Sequence, residues 1–154
     1  MYSKQEASQL RKKFWTQFGQ YMRPLPCSKG EPINWLNYKT GIRHLYFRMD
    51  TDNKQATIAI ELRHKDPLLQ QYYFEKFREL KKIFQQTITE EWQWELHGSD
   101  EDGKLVSRIS STLKDVNIYY TNDWPAIISF LKPRMLALDN FWTLVKEGFE
   151  RLFS

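Results

Sequence analysis

Chemistry needs charged or nucleophilic side chains gathered in one place, and two stretches of this sequence offer them. Between residues 44 and 63, His44, Tyr46, Arg48, Glu61 and Arg63 fall at every second position of two alternating segments. An imidazole, a carboxylate and guanidinium groups on one rigid surface could bind an anion or perform acid–base work. On a plain solvated surface the same residues would only form cross-strand charge pairs. Asp50 and Asp52 stand between the two segments, so Glu61 with Asp50 or Asp52 is the candidate catalytic set for a metal-dependent nuclease or phosphodiesterase. Such enzymes set an acidic residue near one strand and Glu-x-Lys on the next, to hold a divalent ion and orient water. Here the triplet is Glu61-Leu62-Arg63. Arginine cannot shed its proton at working pH, so the site is a degenerate Asp…Glu-x-Arg arrangement.

The second stretch is the basic run Arg11-Lys12-Lys13, accompanied by Lys4 and Arg23. Several cations on one surface can track a phosphate backbone, and Trp15 or Trp35 could stack bases beside them. Residues 1–30 carry six basic and one acidic side chain, whereas residues 67–102 carry four basic and eight acidic ones. The net charge is +4.

The remaining candidates carry less. His44, His64 and His97 belong to different predicted strands or strand ends and lack zinc spacing, so they read as surface histidines, and no residue is assigned to a metal. The single cysteine, Cys27, rules out an internal disulfide and has no nucleophile signature around it. The turn Asp100-Glu101-Asp102-Gly103 lacks the later glutamate of a calcium loop and reads as a solvated hairpin turn. No cofactor motif is present.

The elements that must position these residues follow from periodicity. Residues 3–22 place Ala7, Leu10, Phe14, Phe18 and Tyr21 on one helical stripe, with Ser3 and Glu6 as a capping box and Pro24 and Pro26 beyond the end. After a loop over 23–34, residues 43–49 and 55–63 alternate as strands around an Asp50–Asn53 turn. Pairing Met49 with Lys54, Phe47 with Ala56 and Leu45 with Ile58 keeps both apolar sets on one face. Asp66-Pro67 opens a second helix over 67–88, whose buried stripe runs from Leu69 through Tyr73, Phe77, Leu80 and Phe84 to Ile88. A second hairpin follows around the turn 98–103, and residues 116–120 are a candidate edge strand. Asp123 and Pro125 open a last helix, in which Pro133 predicts a kink or break near Leu131–Lys132.

The reading is therefore one α+β domain over 1–154, in the order α-ββ-α-ββ-α: three helices on an antiparallel sheet of two hairpins, with or without a fifth edge strand. With 41% hydrophobic and 16% aromatic residues the chain can build a core. No apolar run approaches the ~20 residues that cross a bilayer and the start has no secretory signal, so the cytoplasm is expected and a membrane is not.

The helix carrying Phe14-Trp15, the segment Trp35-Leu36-Asn37-Tyr38, the strand Ile58-Ala59-Ile60-Glu61-Leu62, the strand Trp92-Gln93-Trp94 and the helix entry Asp123-Trp124-Pro125 together resemble a prokaryotic family called domain of unknown function 4268. The resemblance covers nearly the whole chain. Members of that family often form the carboxy-terminal part of longer proteins with nuclease-like domains, which implies a role beside nucleic-acid processing or defence. The family supplies no catalytic residues. The sequence thus points to an interaction domain binding nucleic acid or a protein partner through Arg11, Lys12, Lys13, His44, Tyr46, Arg48 and Arg63. The competing readings are the degenerate nuclease and a self-associating scaffold that uses aromatic surface of the last helix.

Overall fold

In the computed structural model, which describes residues 3–151, the alternating segments pair as expected but in a different register. Strand β1 (Leu45–Thr51) and strand β2 (Gln55–Leu62) are antiparallel, with Leu45 opposite Leu62, Phe47 opposite Ile60 and Met49 opposite Ile58. The turn lies later than the expected Asp50–Asn53. The Asp52 carboxylate accepts from the amides of Lys54 (2.8 Å) and Gln55 (3.0 Å), which tightens the chain around Asn53-Lys54. Because the slip is even, every side chain keeps its predicted face.

The second hairpin joins β3 (Gln93–Ser99) to β4 (Leu105–Lys114), and β4 pairs with β2, so one antiparallel sheet runs β1-β2-β4-β3. A bulge between Glu95 and Gly98 leaves His97 with a left-handed backbone (φ 54°). The irregularity is bridged by a buried polar relay. His97 N–H donates to Ser107 Oγ (2.9 Å), and that hydroxyl donates to Gln70 Oε1 (2.6 Å). The Gln70 amide in turn donates to the carbonyls of His64 (2.9 Å) and Leu105 (3.2 Å).

Helix α1 (Lys4–Met22) starts at Ser3, whose hydroxyl accepts from Glu6 N–H, and buries Phe14, Phe18 and Met22. Tyr21, expected on that stripe, is instead 61% exposed, and Met22 takes its place. The expected single helix over 67–88 is two helices, α2 (Pro67–Glu79) and α3 (Lys81–Ile88), separated at Leu80. The break has a packing reason: α2 lies on β3 and β4, whereas α3 turns to pack against the last helix. Leu69, predicted on the buried stripe, opens to solvent, and Phe74 and Gln70 are buried instead.

Residues 116–120 form no strand. They cross the tip of the first hairpin, with Ile118 N–H donating to the Asp52 carbonyl (3.0 Å). Helix α4 (Trp124–Glu150) runs unbroken through Pro133. Phe130, Leu131 and Met135 are buried around that proline while its ring faces solvent, so packing along the helix outweighs the one missing hydrogen bond. Asp123 occupies the N-cap position of α4 but its side chain makes no capping bond; its carboxylate accepts from Asn117 N–H (2.9 Å), and a 3₁₀ turn at Thr121–Asp123 leads into the helix.

The apolar sheet face, with Phe47, Ile58, Ile60 and Ile109, packs beneath α4 and its aromatic ridge. Phe47 meets Trp142 edge-on at 5.7 Å, and Phe77 meets Phe149 at 4.6 Å. No helix among the described residues is long and apolar enough to cross a membrane.

Candidate functional site

With the apolar face covered, the opposite face of the sheet presents Tyr46, Arg48 and Asp50 from β1, Thr57, Ala59 and Glu61 from β2, and Arg108 and Ser110 from β4. Glu61 lies at its centre. Its neighbours across the ladder are Tyr46 on one side and Arg108 on the other. Although it stands on the polar face, Glu61 is only 6% exposed, because three guanidinium groups close over it.

Arg48 Nε lies 3.0 Å and Arg63 Nε 2.9 Å from Glu61 Oε1, and Arg108 Nε lies 3.1 Å from Oε2. Arg63 continues to Asp100, its Nη1 donating to Oδ2 at 2.8 Å. Asp100 also accepts from the amides of Asp102 and Lys104, both at 2.9 Å. Arg63 and these amides hold the Asp100 carboxyl down at about 2. The turn read as merely solvated is thus tied to the sheet face. Arg48 is half-exposed and its guanidinium lies 4.9 Å from the centre of the Tyr46 ring.

This geometry suits binding. Both Glu61 oxygens are taken up by cations; Arg63 goes on to Asp100 and Arg108 Nη1 to the Ser99 carbonyl (3.5 Å), while Arg48, the most exposed of the three, meets Glu61 through Nε. Lys104 adds a further cation to the resulting 500 Å³ depression, and Asp50, Glu101 and Asp102 add carboxylates at its margin.

Of the residues expected here, Tyr46, Arg48, Glu61 and Arg63 come together, but His44 does not. Its backbone is left-handed (φ 66°), which turns the imidazole off the sheet face and toward His64, at 5.2 Å between ring centres. Strain of this kind costs about 1–3 kcal/mol. His64 is no surface histidine: it is 3% exposed and stacked on Tyr73 at 4.4 Å. Burial, with the neighbouring His44, lowers its pKa to about 4. His97 stands apart, its Nε2 2.9 Å from the Pro67 carbonyl.

Nor do the carboxylates gather as a metal-dependent nuclease would need. Asp50 accepts from its neighbour Thr51 N–H and faces Arg11 at 3.3 Å, Asp52 is spent on the turn, and Glu61 is held by arginines. Among the described residues no three His, Cys, Asp or Glu side chains form a group that could hold a metal ion.

The basic run is divided as well. Arg11 donates to the Thr51 carbonyl (2.6 Å) and latches α1 to the first hairpin, leaving Lys12 and Lys13 exposed. Trp35 is 3% exposed and donates to the Leu25 carbonyl (2.8 Å), so its ring is no free stacking platform, while Trp15 is half-buried and packs edge-on to Phe14 (5.0 Å). The aromatic surface expected on α4 is likewise buried: Phe130, Phe141, Trp142 and Phe149 all face the core.

Sequence reasoning missed Arg108 as a partner of Glu61. Its position on the polar phase of its strand was visible, but nothing local reveals that β4 neighbours β2. It also missed Asp139 of α4, 3% exposed, which accepts from Tyr38 Oη (2.5 Å) and Ser28 N–H (2.7 Å). Burial and this carboxylate push the Tyr38 phenol well above its usual range. A lone aspartate on an apolar stripe was the available signal.

No curated protein and no solved structure matches this chain. The family described as domain of unknown function (DUF4268) matches residues 10–146, which include both the Glu61 cluster and Asp139, and the chain belongs to that family.

Proposed function

We propose that this chain is an interaction domain, without catalytic chemistry of its own, that docks an acidic group of a protein partner on the uncovered polar face of its sheet. The observation that carries this reading is one buried carboxylate, Glu61, on which the guanidinium groups of Arg48, Arg63 and Arg108 converge. Guanidinium groups fixed before binding lose little freedom on meeting a carboxylate, and their planar forks match its two oxygens. The acidic margin of Asp50, Glu101 and Asp102 favours a partner with one acidic group among basic or hydroxyl side chains over a continuous polyanion.

Affinity capture from the native cell with three forms of the protein tests this: wild type, Arg48→Glu, and the double variant Lys12→Glu/Lys13→Glu. A protein held by wild type and by the lysine variant, and lost with Arg48→Glu, is the expected result. Capture that survives Arg48→Glu, or no capture at all, sinks the reading.

A nucleic-acid reading is favoured by Lys12 and Lys13, which are exposed and without ion-pair partners among the described residues. Fluorescence anisotropy of labelled single- and double-stranded DNA and RNA at rising salt separates the two. Binding that weakens steeply with salt and is lost in the lysine variant would favour nucleic acid.

A further inference from the structure

A second region bears on ligand binding and shares no lining residue with the sheet face. Where the chain enters β1 and leaves β2, it faces the first turns of α2 across a cavity of 590 Å³, within the range of about 300–1,000 Å³ typical of small-molecule sites. Gly41, Ile42 and His44 line it from the loop before β1, His64 from just past β2, and Leu69 and Tyr73 from α2. The loop is fixed without a ligand. The buried Thr40 hydroxyl donates to the Leu45 carbonyl (2.9 Å) and accepts from the Ile42 amide (3.2 Å), and the Thr40 carbonyl accepts from the Trp142 indole (2.9 Å). The Arg63 amide donates to the His44 carbonyl (2.8 Å), which ties the two chain segments together.

His64 is the unexplained residue of this cavity. It is buried and stacked on Tyr73, yet its Nδ1 is sealed from solvent with no hydrogen-bond partner among the described residues. Buried polar atoms are almost always paired, so an orphan of this kind needs an explanation. Burial keeps the ring neutral, with one nitrogen as donor and the other as acceptor. His44 brings a second imidazole to within 5.2 Å of the first, on a left-handed backbone. Strain of that kind gathers at ligand clamps, where the surroundings hold it in place. An orphaned imidazole and a strained one thus meet at a single preformed cavity.

The surroundings narrow the ligand. An imidazole that holds a metal ion donates its other ring N–H to an acceptor, and Nδ1 of His64 has none. No third metal-ligating side chain among the described residues joins the two histidines either. A charged ligand is not selected, because Arg43 and Glu150, both exposed, bring opposite signs to the same cavity. Ile42, Leu69 and the Tyr73 ring suit an apolar, ring-shaped body. A hydroxyl group answers His64 in either tautomer, since it both donates and accepts.

We propose that this cavity binds a small uncharged aromatic alcohol of the phenol type, its ring against Ile42, Leu69 and Tyr73 and its hydroxyl at His64. Because Nδ1 is closed off, the hydroxyl meets the ring at its Nε2 edge, with His44 alongside.

Phenol is the probe, and toluene, which has the same ring and no hydroxyl, is its control. The measurement is a carbon–proton NMR titration of the full chain, followed at the Ile42 methyl groups and the His64 ring. Saturable shifts with phenol are expected, with binding about fivefold or more tighter than that of toluene, since one hydrogen bond separates the two. The variant His64→Phe should bring phenol down to the affinity of toluene. Leu69→Trp, at a partly exposed position, should fill the cavity and abolish the binding of both. Arg48→Ala should leave binding intact; a loss there would place it on the sheet face and overturn the proposal. No saturable shift with phenol overturns it too, as does equal affinity for phenol and toluene, or phenol binding that His64→Phe leaves unaltered. If His64→Phe perturbs the whole spectrum, Leu69→Trp decides, and phenol binding that survives it overturns the proposal.

Discussion

Among the described residues two carboxylate side chains are buried, and they are stabilised in opposite ways. Glu61 lies on an open sheet face and is surrounded by three guanidinium groups. Asp139 lies on a packed helix and is met by neutral donors, a phenol and a backbone amide. The Glu61 cluster therefore includes a half-exposed guanidinium, that of Arg48, whereas the Asp139 site is complete and mechanical. One carboxylate organises cations for something else to meet. The other pins the loop over 27–39 to α4. A buried charge is thus not by itself a functional sign; what its partners have left over decides.

The largest effect should come from Asp139→Ala, which strips both Tyr38 and Ser28 of a charged acceptor. Each charge-assisted bond is worth about 1.5–3 kcal/mol, so urea unfolding should show a loss of about 4 kcal/mol. A loss below about 1 kcal/mol would mean the loop is held by other contacts. Next, Glu61→Ala should cost about 3 kcal/mol, within the range for breaking a buried ion pair, somewhat relieved because the arginines can turn toward water. If Glu61→Ala were harmless, the three guanidinium groups would not be organised by it.

Acid should separate the polar sites in order. His64 has a folded pKa of about 4 against an ordinary 6.5. The folded state prefers the neutral imidazole, so this stability is fully present above about pH 6.5 and is lost as pH falls toward 4. Thermal unfolding across that window should show a decline on the order of 1–2 kcal/mol that vanishes in His64→Phe. Asp100, held at about 2 against 3.8, supports the fold above 3.8 and gives way only as pH falls from there toward 2. An unchanged slope in His64→Phe would assign the acid sensitivity elsewhere. The smallest effect belongs to Arg48→Ala: its half-exposed ion pair is worth less than about 1 kcal/mol, so stability should barely move. A large loss there would make Arg48 part of the scaffold and weaken its assignment to binding.

Much of the frame is legible in the sequence because it depends on local period. The alternation from Leu45 to Leu62 fixes a hairpin and its inward face, and the even register slip could not disturb that. Asp66-Pro67 starts α2 where expected, since its cap is a contact between neighbours in the chain. The errors occur where distant packing competes with local signals. Leu80 breaks a continuous apolar stripe so that α2 can follow the sheet and α3 can follow α4. Pro133, a strong local breaker, does not end α4, which is buried through Phe130, Leu131 and Met135 on either side of it.

The candidate site divides the same way. Tyr46, Arg48, Glu61 and Arg63 share a face because side chains in strands alternate with a period of two, and the sequence alone determined that grouping. His44 obeys the alternation in sequence but leaves the face in space, because its left-handed backbone ends the extended geometry. Arg108 reaches Glu61 only through the β2–β4 pairing, and Asp139 reaches Tyr38 and Ser28 only when α4 crosses the loop. The sequence by itself thus determined the two hairpins and their inward faces, the places where the helices begin, and the family. The tertiary structure decided which charges meet, because a charge's partners depend on distances of a few ångströms between segments that no local period relates.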